Sequence, residues 1–342
     1  MNEKTQITVV GATGVVGQEL LGALAAARHP SEAVTALASE RSAGRELEYG
    51  EDTVVVEEVG EDSFRGVNLA YFATPPDVSR ILAPAAQRAG SWAVDLSSAF
   101  RLDPTVPLVL PSVNPEVLRQ PFRGRIVCCP SAITTALVTA IEPLRTRFGV
   151  ERLFATAMLG SSASGSHGLD ELQRQTIDLL SGREPSPSRF PHRLGFNLIP
   201  QVGDFDRNLE WTTEELGWAE ESARIWAGSG PQIFGTAIQV PSFYGHLISL
   251  EVMLSAPASA GDFRDALKSS AHLKLVDSPP ERIYPMPMLT SGDPAVHVGR
   301  IRELGGGKKS FALVAAIDNA RRGGALTALE IAQALLAREE KN

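Results

Sequence analysis

Between Ile7 and Pro130 the chain alternates short aliphatic runs with amphipathic or irregular stretches. The runs are ITVVG (7–11), VTALAS (34–39), NLAYFAT (68–74), WAVDLSS (92–98) and RIVCCP (125–130). Each is too short for a helix and rich in β-branched or aliphatic residues, which predicts buried strands. From Gly14 the spacing changes, because Val16, Leu20 and Leu24 recur every four residues and so share one helix face. Strands alternating with helices predict a doubly wound, mostly parallel sheet.

Beyond about residue 132 the apolar runs lengthen and fewer helices separate them. RLFATAML (152–159), GTAIQVP (235–241), HLISLEVML (246–254), VHVGRIREL (296–304) and KSFALVAAI (309–317) predict a mixed or antiparallel sheet with helices on one side. GREPSPSRFPHR (182–193) reads as a surface excursion. A final helix is expected over 322–338, where Leu326, Leu329, Ile331 and Leu335 have near-helical spacing. The expected fold class is α/β, with a Rossmann-type parallel-sheet domain beside an α+β domain. The expected bounds are 1–131 plus 321–342 for the first and 132–320 for the second, because the strand–helix alternation stops near Ala132.

Composition narrows the function classes. With 32 basic and 40 acidic residues the net charge is −8, which argues against nucleic acid or an anionic membrane as partner. No apolar run is long enough to span a bilayer, and MNEKTQ shows no leader pattern. Cys128 and Cys129 are the only cysteines and adjoin one another, so no disulfide framework or metal site is expected. A soluble cytoplasmic protein is the expectation.

The first candidate chemistry lies at the first strand–helix junction, Gly11-Ala-Thr13-Gly14-Val15-Val16-Gly17. Glycines there permit a tight turn and let the backbone approach a pyrophosphate, which then meets the helix N-terminal amides. Spaced G-x-x-G-x-x-G, the motif is weak by itself and gains weight from its strand–turn–helix setting. The second strand ends in Ser39-Glu40-Arg41-Ser42. Arg41 and the two serines suit a ribose 2′-phosphate and so NADP, against the alternative of a solvated loop.

GATGVVGQELL (11–21), DLSSAFRLDPTVPLVLPSVNPEV (95–117), NLIPQVGDF (197–205), TAIQVPSFYGH (236–246), VGRIR (298–302) and DNARRGGAL (318–326) together resemble the aspartate-semialdehyde dehydrogenase family, in order and over almost the whole chain. That resemblance implies a homodimer that interconverts aspartyl phosphate and aspartate semialdehyde with NADPH, on the route to lysine, threonine and methionine. It also implies that the second domain carries the dimer interface and the substrate site. The chemistry needs a thiolate, a proton-transferring histidine, and cations for carboxylate and phosphate.

Carried over by motif, the catalytic cysteine's place falls on Ala132. Leu159 stands where the active-site glutamine is expected, Gln239 where the carboxylate-binding arginine is, and Gly217 where the phosphate-binding lysine is. His246, Arg101, Glu214 and, beside the nicotinamide, Asn319 are retained. Where the family carries a Gly-Gly pair near the cofactor, this chain has Pro75-Pro76, which lack N–H groups. The resemblance is therefore to the Usg-type homologues that lack the cysteine. Three readings stay open: a catalytically inactive member that binds nucleotide weakly or a partner, an active NADP-dependent semialdehyde dehydrogenase with an altered mechanism, and a different reductase on the same scaffold. Cys129 and Ser131 flank the alanine but sit at a strand end and a helix cap. His167 and His297 have no motif support and are expected to pack or face solvent.

Overall fold

The computed structural model describes residues 5–208, 210–305 and 307–339. Residues 1–4 and 340–342, included in the expected first domain, lie outside them. The chain divides into two compact units, Met1–Ser131 with Gly324–Asn342, and Ala132–Gly323.

The first unit is built on β1 (Ile7–Val10), β2 (Val34–Ala38), β3 (Glu46–Tyr49), β4 (Asp52–Glu58), β5 (Leu69–Phe72), β6 (Trp92–Asp95) and β7 (Ile126–Cys128). They form one sheet in the order β3-β4-β2-β1-β5-β6-β7. All neighbours run parallel except the β3–β4 hairpin. β1, β5 and β6 are buried along their whole length, as strands covered on both faces must be. Ile7 and Val9 point to one face, where Leu20 and Leu24 of α1 (Val15–Ala26) and Leu329, Ile331 and Leu335 of α7 (Leu326–Glu339) pack. Val10 points to the other, against Leu82, Ala83 and Ala86 of α2 (Pro76–Arg88).

Two expectations need correction. β3 and β4 are not among the strands that the aliphatic runs predict, because their buried positions alternate with exposed ones. An edge hairpin packs one face only and so carries no continuous aliphatic run. The last helix also starts later than expected: Arg321–Ala325 form a π-helical turn, and α7 begins at Leu326.

The second unit contains β8 (Val150–Leu159), β9 (Gln232–Gln239), β10 (His246–Leu254), β11 (Leu273–Leu275), β12 (Val296–Gly305) and β13 (Ser310–Ile317), ordered β11-β12-β13-β10-β8-β9. The sheet is mixed: β8–β9 and β11–β12 are parallel, the other pairs antiparallel. α3 (Ala132–Phe148) packs on its centre, beside α5 (Thr213–Ile225) and α6 (Ala260–Lys268). α4 (Gly165–Leu180) leads into the 181–212 excursion. Buried Glu171 on α4 accepts bonds from Ser188 and Arg189, and Gln175 from the amides of Leu194 and Gly195, so the excursion is pinned rather than loose. Among the described residues no helix is long and apolar enough to cross a membrane.

Candidate functional site

In a doubly wound sheet the ligand crevice opens at the carboxyl ends of the strands, where successive connections leave in opposite directions. Here β1 has β2 on one side and β5 on the other, so the crevice lies beyond Val10 and Phe72. Gly11 turns the chain there at φ +81, and a Cβ on it would stand 2.3 Å from the carbonyl oxygen of Ala73. Only glycine fits. A Cβ on Gly17 would lie 2.2 Å from the Gly11 carbonyl oxygen, so the third glycine lets α1 start close against the turn.

The glycines supply space more than donors. The N–H groups of Gly11 and Ala12 go to the Leu37 carbonyl at 2.8 and 3.0 Å, and that of Gly14 goes to Gly11 at 3.0 Å. Val15 and Val16 open α1, and amides in a first helical turn have no acceptor in a preceding one. No side chain caps α1 and no acid lies in its first turn, so its dipole faces the crevice unopposed. Thr13 lies half-buried within the turn. After β2, Glu40–Ser42 make a 3-10 turn in which Arg41 is exposed, flanked by Ser39 and Ser42. This side has the shape and charge for a nucleotide phosphate.

The loop after β5 is different. Pro75 caps α2, Pro76 opens it, and exposed Asp77 occupies its first turn. Thr74 Oγ1 is bonded to Ser79 Oγ at 2.8 Å. Ser79 in turn supports Asp95, fully buried at the end of β6, which also accepts from Ser97 N (3.2 Å) and Oγ (2.9 Å). Burial raises the Asp95 carboxyl above its ordinary range despite these bonds. Asp95 was visible in DLSSAFR, but nothing in the spacing marked it as the hub of a buried network. Arg101 donates from Nε to the Cys129 carbonyl at 2.9 Å and from a terminal nitrogen to that of Leu96 at 2.7 Å.

The second unit gathers the substituted positions. Parallel pairing of β8 with β9 sets Leu159 opposite Gln239, and antiparallel pairing with β10 sets Leu159 opposite His246. Residues 80 and 87 positions away thus meet at one end of the sheet. All three are about 2% exposed, so the place is filled. Gln239 turns back to donate from Nε2 to the Leu159 carbonyl at 2.7 Å. His246 Nδ1 accepts the Gly160 N–H at 3.2 Å, which leaves the ring proton on Nε2 in the neutral form. Burial pushes the His246 pKa down to about 4, against the raising influence of Gly245 and Asp318. At neutral pH the ring is uncharged.

Asn319 follows β13 and is buried. Its Oδ1 accepts from Ser162 Oγ at 2.9 Å and from the Gly245 N–H at 3.1 Å, holding two turns together. Asp318 accepts from the amides of Gly292, Ala320 and Arg321, a role the sequence did not suggest. Ala132 is the first residue of α3, and a Cβ on Gly323 would stand 2.5 Å from its own Cβ. The methyl group therefore faces the π-helical turn at close quarters. On α5, Glu214 accepts from Trp218 Nε1 at 3.0 Å, and Gly217 has room beside it, its nearest neighbour being Glu221 Oε1 at 3.6 Å from a built Cβ. Glu215 anchors that helix by accepting from Thr212 and from Ala237 of β9.

Cys128 and Cys129 are buried and form no disulfide, and burial pushes the Cys129 thiol far up, against the influence of Arg101. A thiol in that state is inert. His167 is exposed, whereas His297 is buried against Asp293 at 2.8 Å. Among the described residues no group of three or more His, Cys, Asp or Glu could hold a metal ion.

Residues 6–121 match the family model described as semialdehyde dehydrogenase, NAD binding domain, and residues 141–322 match semialdehyde dehydrogenase, dimerisation domain. An aspartate-semialdehyde dehydrogenase of Aquifex aeolicus is 32% identical over 333 residues, covering 97% of this chain and 98% of the relative. One from Bacillus subtilis is 33% identical over 343 residues, covering 98% of each. A crystal structure of aspartate semialdehyde dehydrogenase II from Vibrio cholerae, complexed with ASA, superposes with a TM-score of 0.92 at 32% identity, covering 98% of both chains.

Proposed function

This chain belongs to the aspartate-semialdehyde dehydrogenase family, and we propose that it is a nucleotide-binding, homodimeric member that has lost the acyl-transfer chemistry. The observation that carries the reading is the methyl group of Ala132 at the start of α3. A thioester needs a sulfur there, activated by the helix N-terminus, and a methyl group cannot attack an acyl phosphate. Cys129 does not substitute, being buried with its thiol held protonated.

The surroundings agree. Gln239 spends its amide on the neighbouring strand where a guanidinium would clamp a carboxylate. Gly217 offers a phosphate no side chain, and Leu159 fills the space between strands. Neutral, buried His246 is left as a structural acceptor. On the nucleotide side the Gly11 cradle and the open start of α1 fit a pyrophosphate, and Arg41 favours NADP over NAD. If bound, the nucleotide would supply hydride chemistry; this chain's residues hold its phosphates. The sheet of the second unit exposes a stacked pair, Phe154 and Phe234, at 5.5 Å, a surface suited to a second copy. Two cysteines outside any disulfide suit the reducing cytoplasm, where we place the protein.

The test is turnover of aspartate semialdehyde with phosphate and NADP, and of aspartyl phosphate with NADPH. Loss of a covalent nucleophile costs about 10⁶ in rate, so no activity is expected. Ala132→Cys alone should not restore it, because Gln239 and Gly217 still leave both anionic groups unpaired. Turnover near one per second by the untouched protein would end the reading. The same rate from Ala132→Cys alone would mean that the substrate groups are held by other residues.

A further inference from the structure

The two sides of the nucleotide crevice differ in what they offer an anion. On the β1–β2 side, α1 begins with no side-chain cap and no acid. Gly11 leaves a space that any Cβ would close. Exposed Arg41 makes no ion pair among the described residues, and exposed Glu40 lies beside it. On the β5 side, Pro75 and Pro76 leave two successive positions at the start of α2 without an N–H group. Thr74 has committed its hydroxyl to Ser79. Asp77 puts a negative charge on the first turn of α2, opposing a second phosphate.

A dinucleotide of the NADP type lays its adenosine half over the first of these sides and its nicotinamide half over the second. We propose that the crevice is a half-site, which takes the adenosine 2′,5′-bisphosphate portion of an NADP-type nucleotide and gives the nicotinamide portion almost no grip. The inference rests on the nucleotide reading above and sharpens it: the ligand class becomes any nucleotide that carries an adenosine 2′-phosphate with a 5′-phosphate, whatever follows. Nothing then ties the site to hydride transfer, in keeping with the loss of the thiol.

The experiment is calorimetry on the whole protein with three probes: NADPH, adenosine 2′,5′-bisphosphate and reduced nicotinamide mononucleotide. NADPH and the bisphosphate should bind within about 5-fold of each other, while the mononucleotide should show no heat at millimolar concentration. Arg41→Ala should weaken both adenosine ligands alike, by about 10-fold, as expected for one charge-assisted contact. Pro75→Gly with Pro76→Gly should strengthen NADPH and leave the bisphosphate unchanged. NADPH binding more than about 30-fold tighter than the bisphosphate would overturn the half-site while leaving the nucleotide reading in place. Failure of both NADPH and the bisphosphate to bind would remove both.

Discussion

Gly11 and Leu159 each stand where a strand ends, and they treat the space there in opposite ways. Beyond β1 the chain withholds side chains: Gly11 and Gly17 approach backbone so closely that a single carbon would collide. Beyond β8 it supplies them: Leu159, Gln239 and His246 bury one another and spend their polar groups on strand carbonyls and amides. Keeping that space costs stability, since glycine loses more conformational freedom on folding than other residues and an uncapped helix start leaves amides unsatisfied. At the end of β8 the buried Leu159 adds to the core instead. The difference is the one the proposed function predicts, a nucleotide side kept open and an acyl-transfer side closed.

The comparison breaks first if Gly11 proves replaceable. Gly11→Ala must place a methyl 2.3 Å from the Ala73 oxygen at a positive φ. Strain and overpacking together should cost about 3 kcal/mol or more, a Tm fall of roughly 5–10 °C, with loss of nucleotide binding. A melting curve within one degree of the parent would show that the turn is slack and the cradle accidental.

The second test addresses how closed the other end is. His246 has its folded pKa pushed down to about 4 from an unfolded value of 6.5. The unfolded chain therefore binds a proton that the folded one refuses between those values, so stability is fully present above pH 6.5 and falls as pH drops towards 4. The swing should be about 3 kcal/mol, and His246→Gln should flatten that part of the urea-denaturation profile. An unchanged slope in the variant would mean that water reaches the ring and the end of β8 is open.

These two places were not equally legible in the sequence. The glycine turn is local: strand, turn and helix follow one another within twenty residues, and the aliphatic period shows each. The cluster at β8 is assembled from residues 80 and more positions apart, by register alone, so only resemblance brought Leu159, Gln239 and His246 into one list. For the same reason the buried parallel strands could be read, whereas half-exposed β3–β4 and three-residue β11 could not. Hydrogen-bond hubs such as Asp95, Asp318 and Asn319 left no periodic trace, because their partners are backbone amides and hydroxyls set by tertiary packing.

The smallest effect tests whether Gly217 was kept for the fold. It lies inside α5, flanked by good helix formers, with φ in the ordinary range and nothing closer than Glu221 Oε1, 3.6 Å from a built Cβ. Glycine in a helix interior costs about 1 kcal/mol against a straight-chain residue. Lysine fits that room, and its ammonium lies four residues before Glu221, the weaker order for an ion pair but still an attractive one. Gly217→Lys should therefore stabilise the protein by about 0.5–1 kcal/mol, read as a Tm rise of roughly 1–3 °C. It should leave nucleotide affinity untouched. Such a rise would mean that no packing constraint selects the glycine. A fall in Tm would instead give Gly217 a structural purpose, and its absence of side chain would no longer support the proposed loss of phosphate binding.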